Sequence, residues 1–217
     1  MKKALISFEF TLIFLIFPAL LYPVRTYFGR VLIPCLLALG SICLFFLIRD
    51  RGFDRSYLWN AKDFWGHLKT TLLFFVPTAL LLTALTWVFL PGQFLSFPRN
   101  KTFLWVVVMI LYPLLSVYPQ ELIFRTFFFH RYRQIFRQSW VLILASGLSF
   151  GLAHLFFANW IAPTLTLLGG LQFARTYDRT NSTLQAAIEH GLWGDLIFTI
   201  GLGWYFYGGS IGHFVRS

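Results

Sequence analysis

Long apolar runs separated by short polar connections constrain this chain more than any other feature. They lie near residues 4–24, 31–48, 70–91, 102–129, 141–158, 160–174 and 184–207. Most reach the roughly 17–25 residues that a membrane-spanning helix needs. In hydrocarbon such a segment satisfies its own backbone only as a helix. The run at 160–174 is short and carries Pro163, and the last run is rich in glycine, so a break there adds a short eighth segment. The expectation is an all-α, polytopic transmembrane helix bundle of seven to eight spans.

Composition agrees, since only 12% of residues are charged where soluble domains carry about 25%. The first run resembles a signal peptide, but Glu9 interrupts it and no Ala-x-Ala-like site follows, so it reads as an uncleaved first span. The polar connection at 49–70 mixes charge with Trp and Phe and suits an interfacial amphipathic segment. The chain then divides into N-terminal helices with this cytoplasmic loop, 1–101, and core helices, 102–217, within one integral membrane domain.

The net charge of +10 is distributed by side rather than by patch. A cytoplasmic N-terminus leaves only Arg25, Arg30, Arg99, Lys101 and Arg216 on the opposite side, with Arg125 inside a span. That asymmetry follows the positive-inside rule, so the basic charge reports orientation and anionic lipid, with no nucleic acid as partner. Cys35 and Cys43 share one span and imply neither a disulfide framework nor a metal site.

Ionisable groups inside spans are costly and mark function by default. Here they are Glu9, Glu121, Arg125, His154, Glu189, His190 and Asp195. Glu9 stands alone near one end of its span and reads as a packing or snorkelling residue. The others fall in three segments. In "YPQELIFR", Pro113 and Pro119 break the run, so a new helical segment is expected near Pro119. That puts Glu121 in a first turn, with Arg125 at i+4 on the same face and Gln120 near the same cavity. A buried salt bridge fixing helix packing accounts for this pair equally well. In "ASGLSFGLAHLFF", Phe150 and His154 share a face, while Gly147 and Gly151 let a neighbouring helix approach closely. The same letters spell Gly-x-Ser-x-Gly, but within an apolar helix Ser149 reads as a packing serine bonded to a backbone carbonyl. In "LQAAIEHGLWGDLIF", Ala187 and Gly191 again favour close packing, and Asp195 lies about 140° from His190 on an ideal helix.

Together these segments offer carboxylates, an amide and two imidazoles. That inventory suits general-base activation of water with donors for a developing oxyanion. Glu121, His154 and His190 are also a zinc donor set with an open position. A serine hydrolase built on Ser149 and an ion-conducting transporter are the other readings.

Gln120-Glu121-Leu122-Ile123-Phe124-Arg125, then Phe150 to His154, then His190 to Asp195 resemble three motifs: Glu-Glu-x-x-x-Arg, Phe-x-x-x-His, and a His followed closely by Asn or Asp. These are the motifs of the CAAX prenyl endopeptidase and bacteriocin-processing family, also called the abortive-infection family of intramembrane proteases. The resemblance covers roughly residues 103–208. It implies a helical-bundle endopeptidase of the bacterial plasma membrane, with a membrane-open cavity and membrane-embedded or membrane-adjacent peptide substrates. It further implies that the first Glu and middle His activate water, that the last His and its partner hold the oxyanion, and that the second Glu and the Arg support the site. The chain departs from the motifs twice: Gln120 stands in the first Glu position, and Gly194 in the slot four residues after His190. Three readings follow. Glu121 takes over as base with His154 as partner; or a divalent metal such as zinc on Glu121, His154 and His190 activates water; or hydrolysis is lost, leaving an inactive immunity or scaffold protein.

Overall fold

Runs of Leu, Phe, Ile and Val without strong breakers close their backbone hydrogen bonds within each segment, and helices result. The computed structural model describes residues 2–29 and 31–207, and among these no strand occurs. The long helices are α1 Lys3–Leu21, α2 Leu32–Arg49, α3 Phe64–Phe89, α4 Thr102–Tyr132 and α5 Ser139–Phe157, followed by α6 Ile161–Thr180 and α7 Thr183–Ile200. Among the described residues, α1 to α5 are both long and apolar enough to cross a membrane, so five of the seven to eight expected spans stand on length and composition. Two helices fall short: α6 carries Arg175, Asp178 and Arg179 in its last turns, and α7 turns polar side chains inward. Thr183, Gln185, Glu189 and His190 are all buried, and they lower its apolarity without facing lipid. Large apolar side chains such as Leu73, Leu80 and Phe89 instead point outward, as lipid-facing positions require. The last run does break, at Gly201 with φ +106°, and one 3-10 turn follows at Leu202–Phe206. Any further segment falls outside the described residues.

Contacts between connections sort the chain into two ends. At one end, Glu9 accepts bidentate hydrogen bonds from Arg131 at 3.0 and 2.6 Å, and another from Tyr132 at 3.1 Å. This partly buried acid therefore does not stand alone: it ties α1 to the end of α4 through an ion pair. At the same end Asp50 meets His130 at 2.8 Å. There the loop after α2 is tied to the α6–α7 turn, with Asn60 Nδ2 donating to the Thr180 carbonyl and Ser182 Oγ to the Asn60 carbonyl. At the other end, the Leu95 N–H donates to the Ile200 carbonyl and Asn159 Nδ2 to that of Tyr205.

The prolines do not restart α4. Its backbone stays helical from Thr102 to Tyr132, passing through π-helical turns at Pro113–Val117 and Leu122–Phe127. A wider turn accommodates a residue whose ring excludes the normal bond, and such turns recur at functional sites. Glu121 is therefore mid-helix, and no helix N-terminus stabilises it.

Candidate active site

Three helices bring the polar residues together, and glycine sets how close they come. A Cβ on Gly147 would stand 2.7 Å from Leu171 Cδ2, and one on Gly170 would stand 3.2 Å from Gly147 Cα. The α5–α6 contact is thus backbone against backbone, as the small-residue pattern predicts, with Gly151 close to Leu167 and Pro163. Gly191, by contrast, has only ordinary van der Waals room against Pro113. Ser149 is fully buried in α5 and its Oγ has no partner among the described residues. The serine bonded to a backbone carbonyl is its neighbour Ser146, at 2.7 Å from the Phe124 oxygen.

Glu121 is the hub. It is fully buried, with Oε2 3.2 Å from Arg125 Nε and Oε1 2.8 Å from His190 Nδ1. The Arg125 contact is ionic rather than an aligned hydrogen bond, since neither Nε nor Oε2 has a hydrogen-bond partner. Arg125 donates from Nη2 to the Gly170 carbonyl at 3.3 Å. Its guanidinium also lies over the Phe150 ring at 4.5 Å, so ring faces supply attraction where donors lack acceptors. A carboxylate can only accept, so His190 Nδ1 carries a hydrogen and donates it to Glu121. The ring is held flat against Phe173, with centroids 4.6 Å apart at 14°.

His154 ends the regular part of α5. Its Nδ1 lies 2.8 Å from the Phe150 carbonyl oxygen, which again can only accept, so in the neutral ring Nε2 holds the lone pair. No hydrogen-bond partner for that Nε2 occurs among the described residues. His154, His190 and the Phe150 ring between them line one cavity of about 830 Å³. That is within the range of small-molecule and peptide sites.

The other expected site residues stand back from the cavity. Gln120 does not reach it: its Nε2 donates to Ser116 at 2.8 and 3.0 Å, back along its own helix. Glu121 and Arg125 lie behind the wall, and Asp195, expected as a supporting residue, is absent from the lining too. The expected pairing of Glu121 with His154 is not what the structure contains; Glu121 pairs with His190. The zinc donor set does not assemble either. Among the described residues no three His, Cys, Asp or Glu groups converge, and both Glu121 oxygens are committed to His190 and Arg125.

One residue escapes the motif reading. Tyr112 lines the cavity, its hydroxyl 3.3 Å from His190 Nε2. A Cβ on Gly194 would come within 2.2 Å of Tyr112 Cε1, so the tyrosine ring occupies the room that a side chain at 194 would need. The one signal in the sequence is negative: a glycine where the motif places a polar side chain.

No curated protein and no solved structure matches the chain. A family model does match, and it covers α4 to α6 and most of α7. Over residues 99–194 the chain is similar to the family described as Type II CAAX prenyl endopeptidase Rce1-like, which bears out the resemblance carried by its three motifs.

Proposed function

We propose that the protein is an intramembrane endopeptidase that hydrolyses peptide bonds of membrane-embedded or membrane-adjacent substrates. The observation that carries this reading is the pair of histidines on one cavity, each with its Nδ1 fixed by an acceptor. In the mechanism His154 Nε2, the open lone pair, takes a proton from water. The water oxygen attacks the peptide carbonyl carbon, and the carbonyl π pair moves to oxygen. His190, its Nδ1–H fixed on Glu121, keeps the opposite wall of the cavity in place and holds the Tyr112 hydroxyl through Nε2. When the C–N bond breaks, the His154 proton passes to the leaving nitrogen. Glu121 and Arg125 act as positioning residues, and Gln120 has no proton-transfer role. Its replacement of a carboxylate is therefore compatible with activity.

At the end where Glu9 pairs with Arg131 and Asp50 with His130, Arg133 at the close of α4 also pairs with Asp178 near the close of α6, at 2.9 Å. This supports a bundle in which α6 and α7 also cross, making seven spans, with the N-terminus cytoplasmic. A bacterial plasma membrane is the setting in which we place it.

The test compares peptide termini in membrane fractions from cells expressing wild type, His154→Ala and His190→Ala at matched abundance. Termini that appear with wild type and vanish with both variants are expected. Identical termini in all three would replace the protease by a non-catalytic scaffold or immunity protein.

A further inference from the structure

The cavity wall beside His190 holds few free donors. Gln172 Nε2 is spent on Glu189 at 3.1 Å, and Thr166 Oγ1 on the Ala162 carbonyl at 2.7 Å. Arg125 lies behind the wall. The Tyr112 hydroxyl differs from all of these, because its partner is a ring nitrogen at 3.3 Å, a long and easily exchanged hydrogen bond. Its ring is fixed edge-on against Phe198 at 5.1 Å and fills the space over Gly194.

We propose that Tyr112 is a catalytic residue, its hydroxyl donating to the carbonyl oxygen as negative charge develops there. The inference rests on the hydrolytic reading above and adds a donor to it. In the resting site His190 Nδ1–H donates to Glu121, and Nε2 accepts from the Tyr112 O–H. When water attacks, His154 takes the water proton and the new alkoxide becomes a far stronger acceptor than an imidazole nitrogen. The Tyr112 hydrogen turns about the Cζ–Oη bond to that alkoxide and stays on the tyrosine. It returns to Nε2 when the C–N bond breaks. Gly194 is then a requirement of the mechanism, since any side chain there expels the ring that carries the donor.

The experiment measures the initial rate at which wild-type-dependent termini appear in the membrane fraction, at matched abundance, together with the melting temperature of each full-length variant in detergent. Tyr112→Phe keeps the ring and removes one donor; a fall of roughly 100-fold is expected from the loss of one such donor, with melting unchanged. Gly194→Asn alone should also lose activity by displacing the ring. Tyr112→Ala with Gly194→Asn, which exchanges hydroxyl for amide in the vacated space, should recover at least about tenfold over Tyr112→Ala, part of what one donor contributes. Tyr112→Phe at half the wild-type rate or better overturns the proposal. So does a loss that tracks a lowered melting temperature with no recovery in the double variant. Full cleavage by His154→Ala or by His190→Ala would instead bring down the underlying reading.

Discussion

Glu121 holds His190 from behind, with Oε1 2.8 Å from Nδ1 and both side chains buried. The same carboxylate is the counter-charge of a fully buried arginine, so one residue has two separable effects. In Glu121→Gln the amide oxygen still accepts from His190, but the buried Arg125 loses the counter-charge in contact with it. Breaking such a pair costs about 3–5 kcal/mol. Loss of the fixed carboxylate behind the imidazole should lower cleavage by roughly 100-fold or more. Adding Arg125→Met removes the orphaned charge, so thermal stability in detergent should recover while cleavage does not. Recovery of both would mean that Glu121 acts only through stability.

Gly170 lies between the Arg125 anchor and the backbone of α5. A Cβ there would stand 3.1 Å from Phe150 Cδ1 and 3.2 Å from Gly147 Cα. The second neighbour is backbone and cannot swing away, so Gly170→Ala should push α5 and α6 apart. Overpacking of this kind costs about 1–3 kcal/mol, readable as a lower melting temperature. Cleavage should fall as well, because the Gly170 carbonyl receives Arg125 and the Phe150 ring separates the two histidines.

The helical class and the three polar segments were legible because they follow from hydrophobic run length and from the cost of charge in hydrocarbon. The Gly147 and Gly151 packing was legible from spacing alone. The partner of Glu121 was not. Two π-helical turns in α4 alter the angular register of 113–127, and ideal-helix geometry takes no account of them. Tyr112 escaped for another reason: a tyrosine in an apolar run has the appearance of ordinary packing, and its role depends on a glycine 82 positions away in the chain. Run length alone left the number of spans open, because α7 is apolar by neighbourhood yet lined inward by Thr183, Gln185, Glu189 and His190, and α6 ends in Arg175, Asp178 and Arg179.

Asp50, on the connection outside the spans, has its carboxyl held below its ordinary value of 3.8 by the His130 ring and, less strongly, by the Gly52 N–H. A depressed carboxyl stabilises the fold fully above its unfolded value, and the stabilisation disappears as pH falls through the lower folded one. The difference in melting temperature between wild type and Asp50→Asn should thus be fully developed at about pH 5. It should shrink progressively as pH falls below about 4 and through the lower folded value. A gap of unchanged size from about pH 5 down to the most acidic pH at which both proteins still fold would show that Asp50 acts through shape rather than charge.

Ser182 joins the loop after α2 to the helix that carries His190. Its buried hydroxyl accepts from the Gln185 N–H at 3.1 Å, capping α7, and donates to the Asn60 carbonyl at 2.6 Å. Removing the cap alone costs about 0.5–2 kcal/mol, and the Asn60 carbonyl keeps only the longer bond from Gln185 Nε2 at 3.3 Å. Ser182→Ala should therefore speed hydrogen exchange in residues 54–62 and in the first turn of α7 together, while Ser182→Thr restores both. The cleavage rate should change much less than in Glu121→Gln, because His190 sits two turns further along α7 and is fixed independently by Glu121. Faster exchange confined to α7 would mean that the loop is held by Asn60 and Gln185 without the serine.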